Sequence, residues 1–222
     1  METWGWPMWT SCFGFKWTRT SEMSSVSKNL GVLPASSGVP AMLNLGQREQ
    51  SLLESLLRKV SSGYDLVLVD TAAGIGQSVL WLNNFADHPV VVVTPDPTSM
   101  TDAYALIKVM ARDHDRDHLQ VVVNGFGSPG EDHEVFATLQ SVAERFLQVR
   151  LQHLGSVPQD PEVAKAVRRQ VPFLETSPAS RAARAVLDLS EAVEQLPPRR
   201  GRADLQATAP PPLKKSQAAR RA

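Results

Sequence analysis

The stretch Asp65-Leu-Val-Leu-Val-Asp70-Thr-Ala-Ala-Gly74-Ile-Gly76 decides how the rest of the chain is read. Four consecutive apolar residues follow Ser61-Ser-Gly-Tyr64 and run into a turn of small residues. A short leucine and β-branched run with breakers at both ends predicts a buried strand, and this one ends in a carboxylate. Pro89-Val-Val-Val-Val-Thr94 and Leu119-Gln-Val-Val-Val-Asn124 have the same texture, and a weaker strand is expected at Val149–Leu154. Because these runs are continuously apolar and do not alternate, the sheet they predict is parallel and covered on both faces.

Helical patterns lie between and beyond the runs. Leu52, Leu53, Leu56, Leu57 and Val60 fall on one face of a helix over Gly46–Val60, with Arg48, Glu49, Glu54 and Lys59 elsewhere. Thr98 or Ser99 is expected to cap a helix that turns Ala103, Leu106, Ile107 and Met110 inward. Val135, Phe136, Leu139, Val142, Phe146 and Leu147 mark another, and a last helix is expected near Ser180–Leu196. The predicted class is α/β.

Composition bounds the function. The chain has 222 residues, 42% of them hydrophobic and 21% charged, enough for one packed α/β domain with tails. Lys+Arg and Asp+Glu both number 23, but unevenly: Pro198–Ala222 holds seven basic residues and the single acid Asp204. A basic tail on a mildly acidic body argues against a nucleic-acid-binding body. The lone Cys12 excludes a disulfide framework and a cysteine-based zinc site. No apolar run is long enough to span a membrane, so membrane contact is at most peripheral. Glu2 and the absence of an uninterrupted apolar stretch at the N-terminus do not read as a secretory leader, and the expected location is cytoplasmic. Three parts are expected. Residues 1–29, with Trp4, Trp6, Trp9 and Trp17, form an irregular segment of doubtful origin; residues 30–196 form the α/β domain; residues 197–222 form a disordered Pro/Ala-rich tail.

A strand ending in Asp70 with Gly74 in the following turn is how P-loop NTPases present the carboxylate that holds a Mg2+ shell. An Asp that merely caps a turn has the same local appearance. Gly125-Phe-Gly127-Ser-Pro-Gly130 matches a dinucleotide fingerprint. Pro129 stiffens it, however, and no strand about 20 residues further on ends in an acid, so a plain glycine-rich loop is the better reading. Asp113-His-Asp-Arg116-Asp-His118 has ligand-type side chains but reads as a solvated connection. No Gly-Lys dipeptide occurs in the 222 residues. A phosphate loop of the Walker A type requires one, because lysine and backbone amides hold the phosphates together.

In order along the chain, Val32-Leu-Pro-Ala-Ser-Ser-Gly38, Asp65–Ile75, Thr94-Pro-Asp-Pro-Thr-Ser-Met-Thr-Asp-Ala-Tyr-Ala-Leu-Ile-Lys108, Val121–Asn124, Gly155-Ser-Val-Pro-Gln-Asp-Pro161 and Ala166–Phe173 resemble the MinD/ParA family of deviant-Walker ATPases. The nearest likeness is the branch that regulates flagellar number and placement. The resemblance spans about Leu30–Leu196. It implies a three-layer P-loop NTPase-like domain with a mostly parallel sheet, N-terminally incomplete because the family's lysine-bearing loop and its strand precede Val32. It implies ATP and Mg2+ as ligands, with Asp70 near the Mg2+ through water and Gly74 as the switch glycine that senses the γ-phosphate. Asn124 would read the adenine edge, and Pro158 and Asp160 would belong to the loop over the base.

Family members dimerise around ATP, and the flagellar branch is expected to contact flagellar assembly proteins, a transcription activator or a signal-recognition-type GTPase. Without a Gly-Lys loop, ATP hydrolysis by this chain is expected to be weak or absent. Two other readings stand beside this one. The first is a non-catalytic interaction module using the surviving switch and dimer surfaces. The second is a nicotinamide-dependent oxidoreductase built on Gly125–Gly130.

Overall fold

The computed structural model describes Gly31 and residues 46–197; the expected N-terminal segment, the Val32–Gly38 motif, Cys12 and the basic tail lie outside them. The elements are α1 (Gln47–Ser61), α2 (Gln77–Phe85), β1 (Val90–Val93), α3 (Pro97–His114), β2 (His118–Phe126), α4 (Glu131–Leu147), β3 (Arg150–Pro158), α5 (Pro161–Arg169), α6 (Phe173–Thr176) and α7 (Arg181–Glu194). β1, β2 and β3 form a parallel sheet in sequence order. Val90–Val93 pair with Gln120–Val123, and β2 pairs with β3 from His118↔Arg150 to Phe126↔Pro158, with register shifts after Val121 and after Asn124.

The core lies on one face of this sheet. Val91 and Val93 of β1 and Leu119, Val121 and Val123 of β2 point into it, and Ile107 and Met110 of α3 and Leu139 and Ala143 of α4 cover them. Side chains alternate across a strand, so Gln120 and Val122 point to the opposite face. There α7 packs on β3, with Leu189 close against Gly155, the register partner of Val122. Three layers result, as expected for α/β, but the second face is covered unevenly. Val92 of β1 is 60% exposed, so the expectation of a sheet covered on both faces fails at this edge.

Four local expectations are corrected. Asp65–Asp70 is not a strand: the run pairs with nothing among the described residues, and Leu66, Val67, Leu68 and Val69 are all exposed. Apolar composition supplies the tendency, but a strand exists only with a neighbour to bond. The cap of α3 is Asp96, not Thr98 or Ser99; Pro97 occupies the first helical turn, where its missing N–H costs nothing. Asp96 Oδ1 accepts from the amides of Thr98 at 2.8 Å and Ser99 at 3.3 Å. Val60 and Phe146, expected inward, are exposed, and the Arg145 guanidinium lies 5.2 Å over the Phe146 ring. Finally, Arg116 is buried, where a solvated connection was expected. Its guanidinium donates to the Ala86 carbonyl at 2.8 Å and to the carbonyl of Asn84, satisfying acceptors at the end of α2.

Candidate functional site at the carboxyl ends of the strands

In an open parallel sheet, ligands bind beyond the carboxyl ends of the strands, where the loops converge. Three turns form that rim here. After β1, Thr94 N donates to Ser99 Oγ at 3.0 Å, while Asp96 gathers the amides described above. The Thr98 hydroxyl, followed by the Thr98 and Ser99 amides, holds the Asp96 carboxyl below its ordinary range.

After β2 comes Asn124, paired in register with Val157, and then the glycine-rich loop. Asn124 is exposed, and no hydrogen bond to its carboxamide occurs among the described residues. Gly125 and Gly130 take φ values of 77° and 87°, which glycine alone adopts without strain. The carboxylate of Glu131 closes the loop on itself, accepting from Gly127 N at 2.7 Å and Ser128 N at 3.2 Å. Those amides are the donors a pyrophosphate would need, so the nicotinamide reading loses its anion site.

After β3, Pro158 pairs with Phe126, and Gln159 N donates to the Phe126 carbonyl at 2.8 Å. Asp160 caps α5, with Oδ1 accepting from Glu162 N at 3.0 Å and Oδ2 from Ala182 N at 3.1 Å. These amides, Glu162 first and Ala182 second, hold its carboxyl below the usual range. Arg181 Nη2 donates to the Gln159 carbonyl at 3.2 Å. Glu162 accepts from Lys165 Nζ at 2.6 Å and Ser177 Oγ at 2.9 Å, contacts that lower its own pKa.

The structure therefore brings Asn124, Pro158 and Asp160 together on the adjacent ends of β2 and β3. Asp70 and Gly74 lie in a separate exposed segment leading into α2. Gly74 has φ 98° and nothing within 4 Å of the position its Cβ would take. No hydrogen bond or ion pair joins the two groups among the described residues, which hold no cluster of three His, Cys, Asp or Glu suited to a metal. Sequence reasoning passed over the Asp96 turn, Glu131 and Arg181. The spacing Asp-Pro-Thr-Ser, an acid directly before a proline at a helix start, was the available signal for the first.

Helices on both faces of a parallel sheet, with capped turns along its carboxyl rim, define a three-layer α/β domain. MinD from Pyrococcus horikoshii, solved in complex with Mg-ADP, shares this fold at a TM-score of 0.51 and 20% identity, over 66% of this chain and 57% of that one. The chain belongs to the ParA family, whose model, described as NUBPL iron-transfer P-loop NTPase, matches residues 19–194. Among its relatives, the antiactivator FleN of Pseudomonas aeruginosa is 40% identical over 166 residues, 75% of this chain and 59% of FleN. The flagellum site-determining protein YlxH of Helicobacter pylori is 34% identical over 112 residues, 50% of this chain and 37% of YlxH. The chain thus spans less than two thirds of the length of either relative.

Of the adenine nucleotide that the family implies, only the base end finds a candidate group among the described residues. A free carboxamide at Asn124 offers both a donor and an acceptor, as an adenine edge requires. The phosphate end is not met by the glycine-rich loop, whose Gly127 and Ser128 amides are bonded to Glu131.

Proposed function

We propose that this chain carries the base-reading and partner-contacting part of a nucleotide-dependent switch that sets flagellar number or placement. The likeness to FleN over 166 residues carries this reading, and the second likeness, to YlxH, points to the same task. Asn124 contacts the adenine edge, and the turn from Pro158 to Asp160 shapes the wall beside it. Asp70 would stand near Mg2+ through water, and the Gly74 turn beside the γ-phosphate, only where a phosphate loop holds Mg-ATP; this chain holds the base end. The chain acts in the cytoplasm, as a homodimer or with a flagellar assembly protein, a transcription activator or a signal-recognition-type GTPase.

Counting flagella per cell in Pseudomonas aeruginosa lacking FleN, with and without this chain, tests the regulatory role. A count moved toward that of cells with FleN supports it, and an unchanged count, with the chain expressed and soluble, overturns it.

The Glu131 carboxylate on the loop amides favours a second reading, the interaction module that works without nucleotide. Asn124→Ala separates the two. It leaves the flagellar count unaltered if nucleotide is irrelevant, and abolishes the effect if base binding drives the switch.

A further inference from the structure

We propose that Asn124-Gly125 is a self-modification site, at which Asn124 loses its amide nitrogen through a cyclic imide closed by the backbone nitrogen of Gly125. Of the five asparagines in the chain, Asn124 alone precedes a glycine; Asn29 and Asn44 precede leucines, Asn83 precedes Asn84, and Asn84 precedes Phe85. Ring closure needs an attacking nitrogen outside the backbone ladder, an open approach to Asn124 Cγ, and a carboxamide that nothing holds away.

The end of β2 meets all three needs. Asn124 pairs with Val157 and Phe126 with Pro158, two consecutive residues of β3, so Gly125 is the extra residue of a β-bulge. Such a residue is left unpaired, with the ladder disrupted around it. Gly125 has no Cβ to block the approach; it takes φ 77°, and nothing lies within 4 Å of where a Cβ would sit. Asn124 is exposed, and no hydrogen bond to its carboxamide occurs among the described residues. Asn83, by contrast, is buried in α2 with Nδ2 bonded to the Val79 carbonyl at 2.9 Å.

The chemistry balances with water as the only co-reactant. Gly125 N bonds to Asn124 Cγ and gives up its proton, the Cγ–Nδ2 bond breaks, and ammonia leaves. Water then opens the imide. Attack at Cγ leaves an aspartyl residue, and attack at the backbone carbonyl carbon leaves an isoaspartyl one, with an added methylene in the main chain. Either way, a group that donates and accepts becomes one that only accepts. That this ends base reading rests on the adenine contact proposed above; the modification itself does not.

The test is peptide mass mapping of the 222-residue chain, aged folded and in urea, at neutral and mildly alkaline pH. In the folded chain Asn124 is expected to convert at least about tenfold faster than Asn83, to both products, and faster at the higher pH. Gly125→Ala should slow the conversion at least about tenfold; alanine is strained at this φ, so the same ratio is read in urea, where no fold is needed. The inference is overturned if Asn124 keeps its amide in the folded chain while the unfolded chain converts. It is equally overturned if only the aspartyl product forms, which marks direct hydrolysis. AMP titration of the aged chain separates the two claims: unchanged affinity overturns the loss of base reading, and the adenine contact with it, while the mass map alone decides the modification.

Discussion

The Asp160 carboxylate holds the amide of Ala182 at 3.1 Å, twenty-two residues further along the chain, while its other oxygen caps its own helix. One side chain thus fixes where α5 begins and where α7 begins, and so sets the outer wall of the rim beside Asn124. Asp160→Ala is expected to lower the melting temperature by a few degrees and loosen the Pro158–Glu162 turn. Asp160→Asn, which retains one acceptor oxygen, recovers part of the loss. Because the folded carboxyl titrates below its unfolded value, its contribution is complete above the unfolded pKa, about 4, and fades as pH falls through the folded one. Melting curves from pH 7 to pH 3 for the three proteins check this.

Arg116 makes a different kind of tie, a buried cation spent on backbone acceptors. Arg116→Ala is expected to cost about 1.5–3 kcal/mol, since carbonyls at the end of α2 lose their donor away from water. Arg116→Lys restores little of it, because one ammonium cannot reach the same acceptors with the planar fork's geometry. Urea denaturation of both variants measures the difference.

Ile107 is fully buried between α3, α4 and the sheet. Ile107→Ala should cost about 2–5 kcal/mol and Ile107→Val about 0.5–1.5 kcal/mol. The same ladder applied at Phe146, which is 58% exposed, should change stability by no more than about 0.5 kcal/mol.

His153 packs against Phe136, with ring centroids 4.9 Å apart, and bonds Ser156 Oγ at 2.8 Å, while the His133 ring lies 5.9 Å away. Burial first, then the neighbouring His133, lowers its pKa; burial also lowers that of His114. A histidine whose folded pKa is depressed contributes stability that is complete above its unfolded pKa, about 6.5, and lost as pH falls through the folded value. Stability should therefore decline on going from pH 7.5 to pH 5, and His153→Gln should flatten that slope. An unchanged slope in the variant would assign the effect to His114.

Nucleotide binding gives the remaining prediction. With the loop amides bonded to Glu131, AMP, ADP and Mg-ATP should bind the 222-residue chain with affinities within about threefold of one another. Asn124→Ala should weaken all three by about tenfold. Titration calorimetry distinguishes this from a rise in affinity with each added phosphate.

Much of the fold was legible in the residues because paired strands and long amphipathic helices carry period and composition together. The two valine runs became β1 and β2, the weaker strand expected near Val149–Leu154 became β3, and Ile107, Met110 and Leu139 took the interior positions their spacing implied. What escaped was decided by neighbours. Leu66–Val69 has the composition of a strand but no partner among the described residues. Arg116 looks solvated in a run of charges, yet the carbonyls that draw it inward belong to residues about thirty positions earlier. The helix α5 went unnoticed because nine residues give little period, although Asp160-Pro161-Glu162 carries its start. Asn124, Pro158 and Asp160 entered through family resemblance, and their adjacency became visible only when β2 and β3 were set in register.

Strand order equal to sequence order has a kinetic meaning. Each neighbour in the sheet is reached across a single intervening helix, so register partners such as Val90 and Gln120, or His118 and Arg150, lie about thirty residues apart. Pairing parallel strands across that separation closes a loop before any contact rewards it, which makes the sheet a slow step in folding. Once formed, this segment should behave as one cooperative unit that opens last, with the slowest-exchanging amides in β2. The α1–α2 region, which docks on a finished surface, would then report on ligands and partners without putting the fold itself at risk.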